Sequence, residues 1–144
     1  MKKYKKGFTL LELIVVIAII GILAAITVAF LGDAKNRGND TGKIQALMEA
    51  RKALQMYYAD KNGFPISTTT LVSSGYISSI DSRIIYDGIT CTDNCQSYHM
   101  GIVLTDPANS VFKSDADVDT TIIKGLSSNC LGGTGVDLCY DLVP

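Results

Sequence analysis

The pattern of apolar and polar positions changes twice along the chain. From Phe8 to Leu31 the sequence FTLLELIVVIAIIGILAAITVAFL holds 24 residues and one charge, Glu12. As a helix, at ~1.5 Å per residue, this block reaches about 36 Å, enough to cross a bilayer with some tilt. Next comes the polar, glycine-rich stretch Gly32-Asp33-Ala34-Lys35-Asn36-Arg37-Gly38-Asn39-Asp40-Thr41-Gly42. Each glycine there costs a helix about 1 kcal/mol relative to alanine, so residues 32–42 are expected to form a flexible or unwound site. Helical periodicity then resumes. Ile44, Leu47, Met48, Leu54 and Tyr58 share one side with Ala46, Ala50 and Ala53, while Lys43, Glu49, Arg51 and Lys52 suit the other. Asn62-Gly63-Phe64-Pro65 ends this run, with Gly63 as the cap and Pro65 preventing continuation.

Beyond Pro65 the period shortens. Ser67–Ile77 reads as a capped helical turn closing at Gly75. Arg83–Asp87, Tyr98–Thr105 and Thr120–Lys124 are strand candidates, enriched in β-branched and aromatic residues. The predicted fold class is α+β, a long N-terminal helix with a small antiparallel sheet packed on its C-terminal half. The expected parts are residues 1–7 as a leader, 8–31 as an apolar helix, 32–62 as an amphipathic stem and 63–144 as a globular head.

Charge sharpens this division. The formal net charge is −1, yet Lys2, Lys3, Lys5 and Lys6 all precede Gly7, and residues 61–144 carry four basic against nine acidic residues. That acidic half gives no electrostatic footing for nucleic acid. The stem bases Lys35, Arg37, Lys43, Arg51 and Lys52 are placed to meet acidic heads of adjacent copies. Four cysteines, Cys91, Cys95, Cys130 and Cys139, follow the apolar block. An even count in an exported segment points to two disulfides. Three pairings are open, and the local ones, Cys91–Cys95 and Cys130–Cys139, are simplest. Zinc is the competing reading, but the second pair has eight intervening residues, a poor spacing for that metal. Catalysis finds little footing. His99 is the sole histidine and falls in a strand candidate, and no nucleophile–base motif or phosphate loop appears. Tyr57, Tyr58 and Phe64 read as core packing.

The N-terminal segment is too long for the apolar region of a secretory signal, and no small-x-small site closes it. A plain single-pass anchor, lysine-rich end in the cytoplasm, leaves Glu12 unexplained. A carboxylate within an apolar helix costs about 2.5–3.5 kcal/mol on insertion scales and marks a functional position. Lys5-Lys6-Gly7-Phe8-Thr9-Leu10-Leu11-Glu12, running into the apolar helix with Gly21, resembles the prepilin signature of type IV pilins and type II secretion pseudopilins. The helix end, with Tyr57, Tyr58, Asp60 and Asn62-Gly63-Phe64-Pro65, resembles the same family. The proline that many members carry early in the second half of the stem is missing here.

The resemblance implies a structural subunit, not an enzyme. A prepilin peptidase would cut between Gly7 and Phe8 and N-methylate Phe8. Glu12 would then meet the new amine of a neighbouring copy during assembly. The implied partners are the membrane, the peptidase, a pilus or secretion assembly platform and further copies of the chain. The implied location is the inner membrane, N-terminus inside, then an extracellular or periplasmic filament. A type IV pilus subunit is the leading reading, a major pseudopilin of type II secretion the alternative. A tethered binding protein that never polymerises is disfavoured by the signature and Glu12. No organic cofactor is implied. Asp115, Asp117 and Asp119 alternate in an oxygen-rich loop of the kind in which some pseudopilins hold calcium, although Thr120 and Leu126 break the EF-hand pattern.

Overall fold

The structure is a computed structural model that describes residues 8–125, 127–133 and 135–144. Met1–Asn36 and Arg37–Pro144 form two compact units. One helix, α1, runs Leu10–Lys61. It is unbroken through residues 32–42, where the glycine content predicts an unwound site. Two effects outweigh the glycines. A gap would require a second helix nucleation, whereas propagation between two strong helical runs is cheap. The later part of the stretch is also anchored, because Asp40 is fully buried and accepts hydrogen bonds from the amides of Thr105 (2.9 Å) and Asp106 (2.8 Å). Lys43 Nζ bridges Asp40 and Thr105 Oγ1, at 3.2 and 3.1 Å.

At its end, α1 hands over to Asn62, which takes the left-handed conformation (φ 53°) expected of Gly63 and donates to Tyr58 O. Gly63 serves a different need, since a Cβ there would lie 2.7 Å from Asn94 Cβ. The short helix α2, Thr68–Ser73, closes at Gly75 as expected. With φ at 77°, Gly75 N–H reaches Val72 O and Tyr76 N–H reaches Leu71 O, a Schellman pair of bonds.

The sheet has three antiparallel strands in the order β1 (Ile85–Cys91), β2 (Cys95–Val103), β3 (Cys139–Leu142). The first two overlap the expected strands but are shifted toward the hairpin that joins them. Thr120–Lys124 is not a strand. It makes an isolated bridge, Asp119 with Lys124, with the Thr120 hydroxyl accepting from the Ile123 amide. The third strand instead lies after the glycine-rich tail. All four of its residues are buried, so it lacks the alternation that marks a half-exposed strand.

The core joins Leu47, Ala50, Leu54 and Tyr57 of α1 to Tyr98, Met100 and Ile102 of β2 and to Tyr140 and Leu142 of β3. Phe64 and Leu71 close it. Tyr57 takes the buried position expected of Tyr58, which remains 43% exposed. Both disulfides are the local ones, Cys91–Cys95 and Cys130–Cys139, and this pairing consumes the thiolates a zinc site would need.

Candidate assembly segment and the head's carboxylate cluster

Leu10–Val28 has a mean hydropathy of 2.9 and none of it is buried within the chain. By length and composition it is apolar enough to cross a membrane. Leu10, Leu11, Ile17, Ile22 and Leu23 each stand more than half exposed. A contiguous exposed apolar surface of this length marks a membrane or protein interaction site.

Phe8 is exposed beside it, while Gly7, the other cleavage residue expected from the sequence, lies outside the described residues. Glu12 is not idle in the single chain. Its Oε2 accepts from Thr9 N (2.9 Å) and Thr9 Oγ1 (3.0 Å), and Glu12 N donates back to Thr9 Oγ1 (3.2 Å). This is a capping box: two of the helix's orphan amides are satisfied reciprocally. Thr9 is a residue that the sequence reading passed over. The signal was present, as Thr-x-x-Glu directly before an apolar run has this form.

In the head, Asp115 and Asp117 come together, but with Asp141 rather than Asp119. Carboxylate oxygens of these three lie within 4.8 Å of one another. The centre is Asp141, fully buried on β3. Its Oδ2 pairs with His99 Nε2 and accepts from Val118 N (3.2 Å), and its Oδ1 accepts from Asp117 N (3.0 Å). Asp141 N donates to Asp115 Oδ1 at 2.7 Å. Gly125 makes the approach possible, because a Cβ would fall 2.7 Å from Asp141 Oδ2. Burial opposes charge on Asp141, yet the bonds from His99, Asp115 and the Asp117 amide hold it down at about 2. Burial, reinforced by the adjacent Asp141, pushes Asp115 up to about 8. At neutral pH one of the pair is therefore protonated and the other charged.

This chemistry fits calcium poorly. The oxygens of Asp141 are already engaged by N–H groups, and Asp119 is exposed outside the cluster. The cluster fastens β3 to the 115–118 loop. The stem bases are likewise partly committed at home, since Arg37 lies 3.7 Å from Asp106 and Lys43 contacts Asp40.

An apolar helix long enough to cross a membrane, with a capped glutamate at its start, is thus joined to a small α+β head. Residues 2–28 match the family described as the prokaryotic N-terminal methylation motif. The chain is 38% identical over 89 residues to the type IV wide pilus major component of Thermus thermophilus, covering 62% of this chain and 67% of that one. It is 39% identical over 64 residues to type II secretion system core protein G of Aeromonas hydrophila (44% of this chain, 45% of that one). A fimbrial protein of Neisseria meningitidis is 37% identical over 83 residues (58% and 47%), so the chain spans about half the length of these last two relatives. The chain belongs to the type IV pilin family, and like its relatives it is a structural protein rather than an enzyme.

Proposed function

We propose that the chain is a type IV pilus subunit, made as a prepilin, cut between Gly7 and Phe8, N-methylated at Phe8 and polymerised through the start of α1. The observation that carries this is that no residue of the apolar run Leu10–Val28 is buried. Before assembly, lipid covers that surface, with the lysine-rich N-terminus on the cytoplasmic side. In a filament, the same residues of neighbouring copies cover it. Cleavage creates a positive amine one residue from the Thr9–Glu12 box. Glu12 then has two claimants, its own Thr9 and a neighbour's amine. In a low-dielectric filament core the charged partner is the stronger, and its reach selects one axial stagger.

The pilus reading is favoured over a type II secretion pseudopilus by the longer match to the Thermus pilus component than to core protein G. The test is Glu12→Ala in the producing cell. The variant prepilin inserts and is processed, but filaments fall to a small fraction of the wild-type yield. Wild-type filament levels from that variant would contradict the proposed role of Glu12. A bulky residue at position 7 leaves an uncut precursor, seen as an unshifted band.

A further inference from the structure

The two disulfides differ in exposure. Cys130 and Cys139 are fully buried, their sulfurs against Gly101, where a Cβ would come within 3.3 Å of Cys130 Sγ and 3.2 Å of Cys139 Sγ. In the other bridge Cys91 is exposed, while Cys95 is 1% exposed. Cys91 ends β1 and faces Cys95 across the hairpin, closing the tip Thr92-Asp93-Asn94. That tip is docked on the end of α1. Tyr57 OH donates to Asn94 Oδ1 at 3.2 Å, and Asn94 Nδ2 donates to Lys61 O, one of the helix's last carbonyls, at 3.4 Å. Phe64 and Cys95 exchange both backbone hydrogen bonds, at 2.8 and 2.7 Å. Gly63 and Gly88 are the close-approach points beneath it, with a Cβ at Gly88 falling 2.5 Å from Cys95 Sγ and 3.0 Å from Cys91 Sγ, so one side of the bridge rests on β1 and Cys91 is exposed on the other.

From this asymmetry we infer that Cys91 is a site of thiol–disulfide exchange with an external dithiol oxidoreductase, and that the Cys91–Cys95 bond is a redox-sensitive staple holding the hairpin tip on the helix end. One thiolate of the dithiol attacks Cys91 Sγ. A mixed disulfide forms, the Cys91–Cys95 bond breaks, and the electron pair leaves on Cys95 sulfur, which takes a proton from water. The buried leaving group has a place to go. Cys95 Sγ lies 3.6 Å from Pro65 O, a contact in which the disulfide sulfur has no hydrogen to give but the thiol does. The second thiol of the oxidoreductase then attacks its own sulfur in the mixed disulfide. Cys91 leaves as a thiolate and is protonated, and the oxidoreductase departs as a disulfide with the two electrons' worth of oxidation. The reverse sequence installs the bond. Attack on the second bridge is blocked at both sulfurs, because exchange rates depend on access as well as on thiolate character.

The test uses the full chain in detergent without denaturant. It is exposed to reduced glutathione or dithiothreitol, quenched with N-ethylmaleimide and read by peptide mass spectrometry. Cys91 and Cys95 become alkylated at least about tenfold faster than Cys130 and Cys139, and the glutathione adduct sits on Cys91. In the partly reduced protein, amide exchange at Phe64 and Cys95 accelerates while Ile102 and Tyr140 stay protected. Equal labelling of all four cysteines, earlier opening of Cys130–Cys139, or an adduct on Cys95 would overturn the exchange site. Unchanged protection at Phe64 and Cys95 after reduction would overturn the staple.

Discussion

Asp115 and Asp141 show how one residue type takes opposite roles a few ångströms apart. Asp115 sits well above its unfolded value of 3.8, at about 8, so the fold favours its protonated form. The stability this gives is fully present below the unfolded pKa and declines as pH rises through the folded one, across roughly pH 4 to 8. Asp141 is held at about 2, and its contribution is lost only as pH falls toward that value. Urea unfolding at intervals from pH 4 to 8 is expected to show declining stability, and Asp115→Asn, which keeps a neutral side chain, should flatten that decline. An unchanged slope in the variant would assign it elsewhere. The alternating Asp115, Asp117 and Asp119 were visible in the sequence. Asp141, 22 residues beyond Asp119, was not, because its position depends on the pairing of β3 with β2.

At the scale of elements, α1 was legible wherever its pattern was strong. The apolar run and the stripe from Ile44 to Leu54 appear where periodicity places them, whereas Tyr57 rather than Tyr58 continues the stripe into the core. The failure at residues 32–42 has a specific cause, since propensity is local and Asp40 acts through contacts 65 and 66 residues away. The same applies to β3, whose buried Cys-Tyr-Asp-Leu carries no period of two. Asp40→Ala would leave the amides of Thr105 and Asp106 without their acceptor. A loss of about 1–2 kcal/mol is expected by chemical denaturation, because Thr105 is exposed and Asp106 half-buried, so water takes over part of the lost acceptor. Amide exchange in residues 38–42 should quicken as well, with Leu47–Tyr57 little changed. A variant as stable as the wild type, with slow exchange there, would mean that the helix crosses its glycines without the anchor.

For the whole molecule, covalent and noncovalent fastenings are divided between head and stem. The disulfides, the Asp40 anchor and the Asp141 cluster hold the head to itself and to the later part of α1. Within Leu10–Val28 of α1, by contrast, no residue is buried. That contrast explains why the motif at Gly7, Phe8 and Glu12 was the most informative stretch of the sequence. An apolar helix alone indicates an anchor, whereas the proposed cut after Gly7, with a glutamate close to the end it would create, is what the proposed move from membrane to filament rests on. The central claim is tested most directly by shearing filaments from producing cells, imaging them by electron microscopy and sequencing their subunits by mass spectrometry. The expected result is filaments built of this chain, beginning at N-methylated Phe8. Filaments whose subunits retain Lys5-Lys6-Gly7, or a processed chain found only as single copies in the membrane, would contradict it.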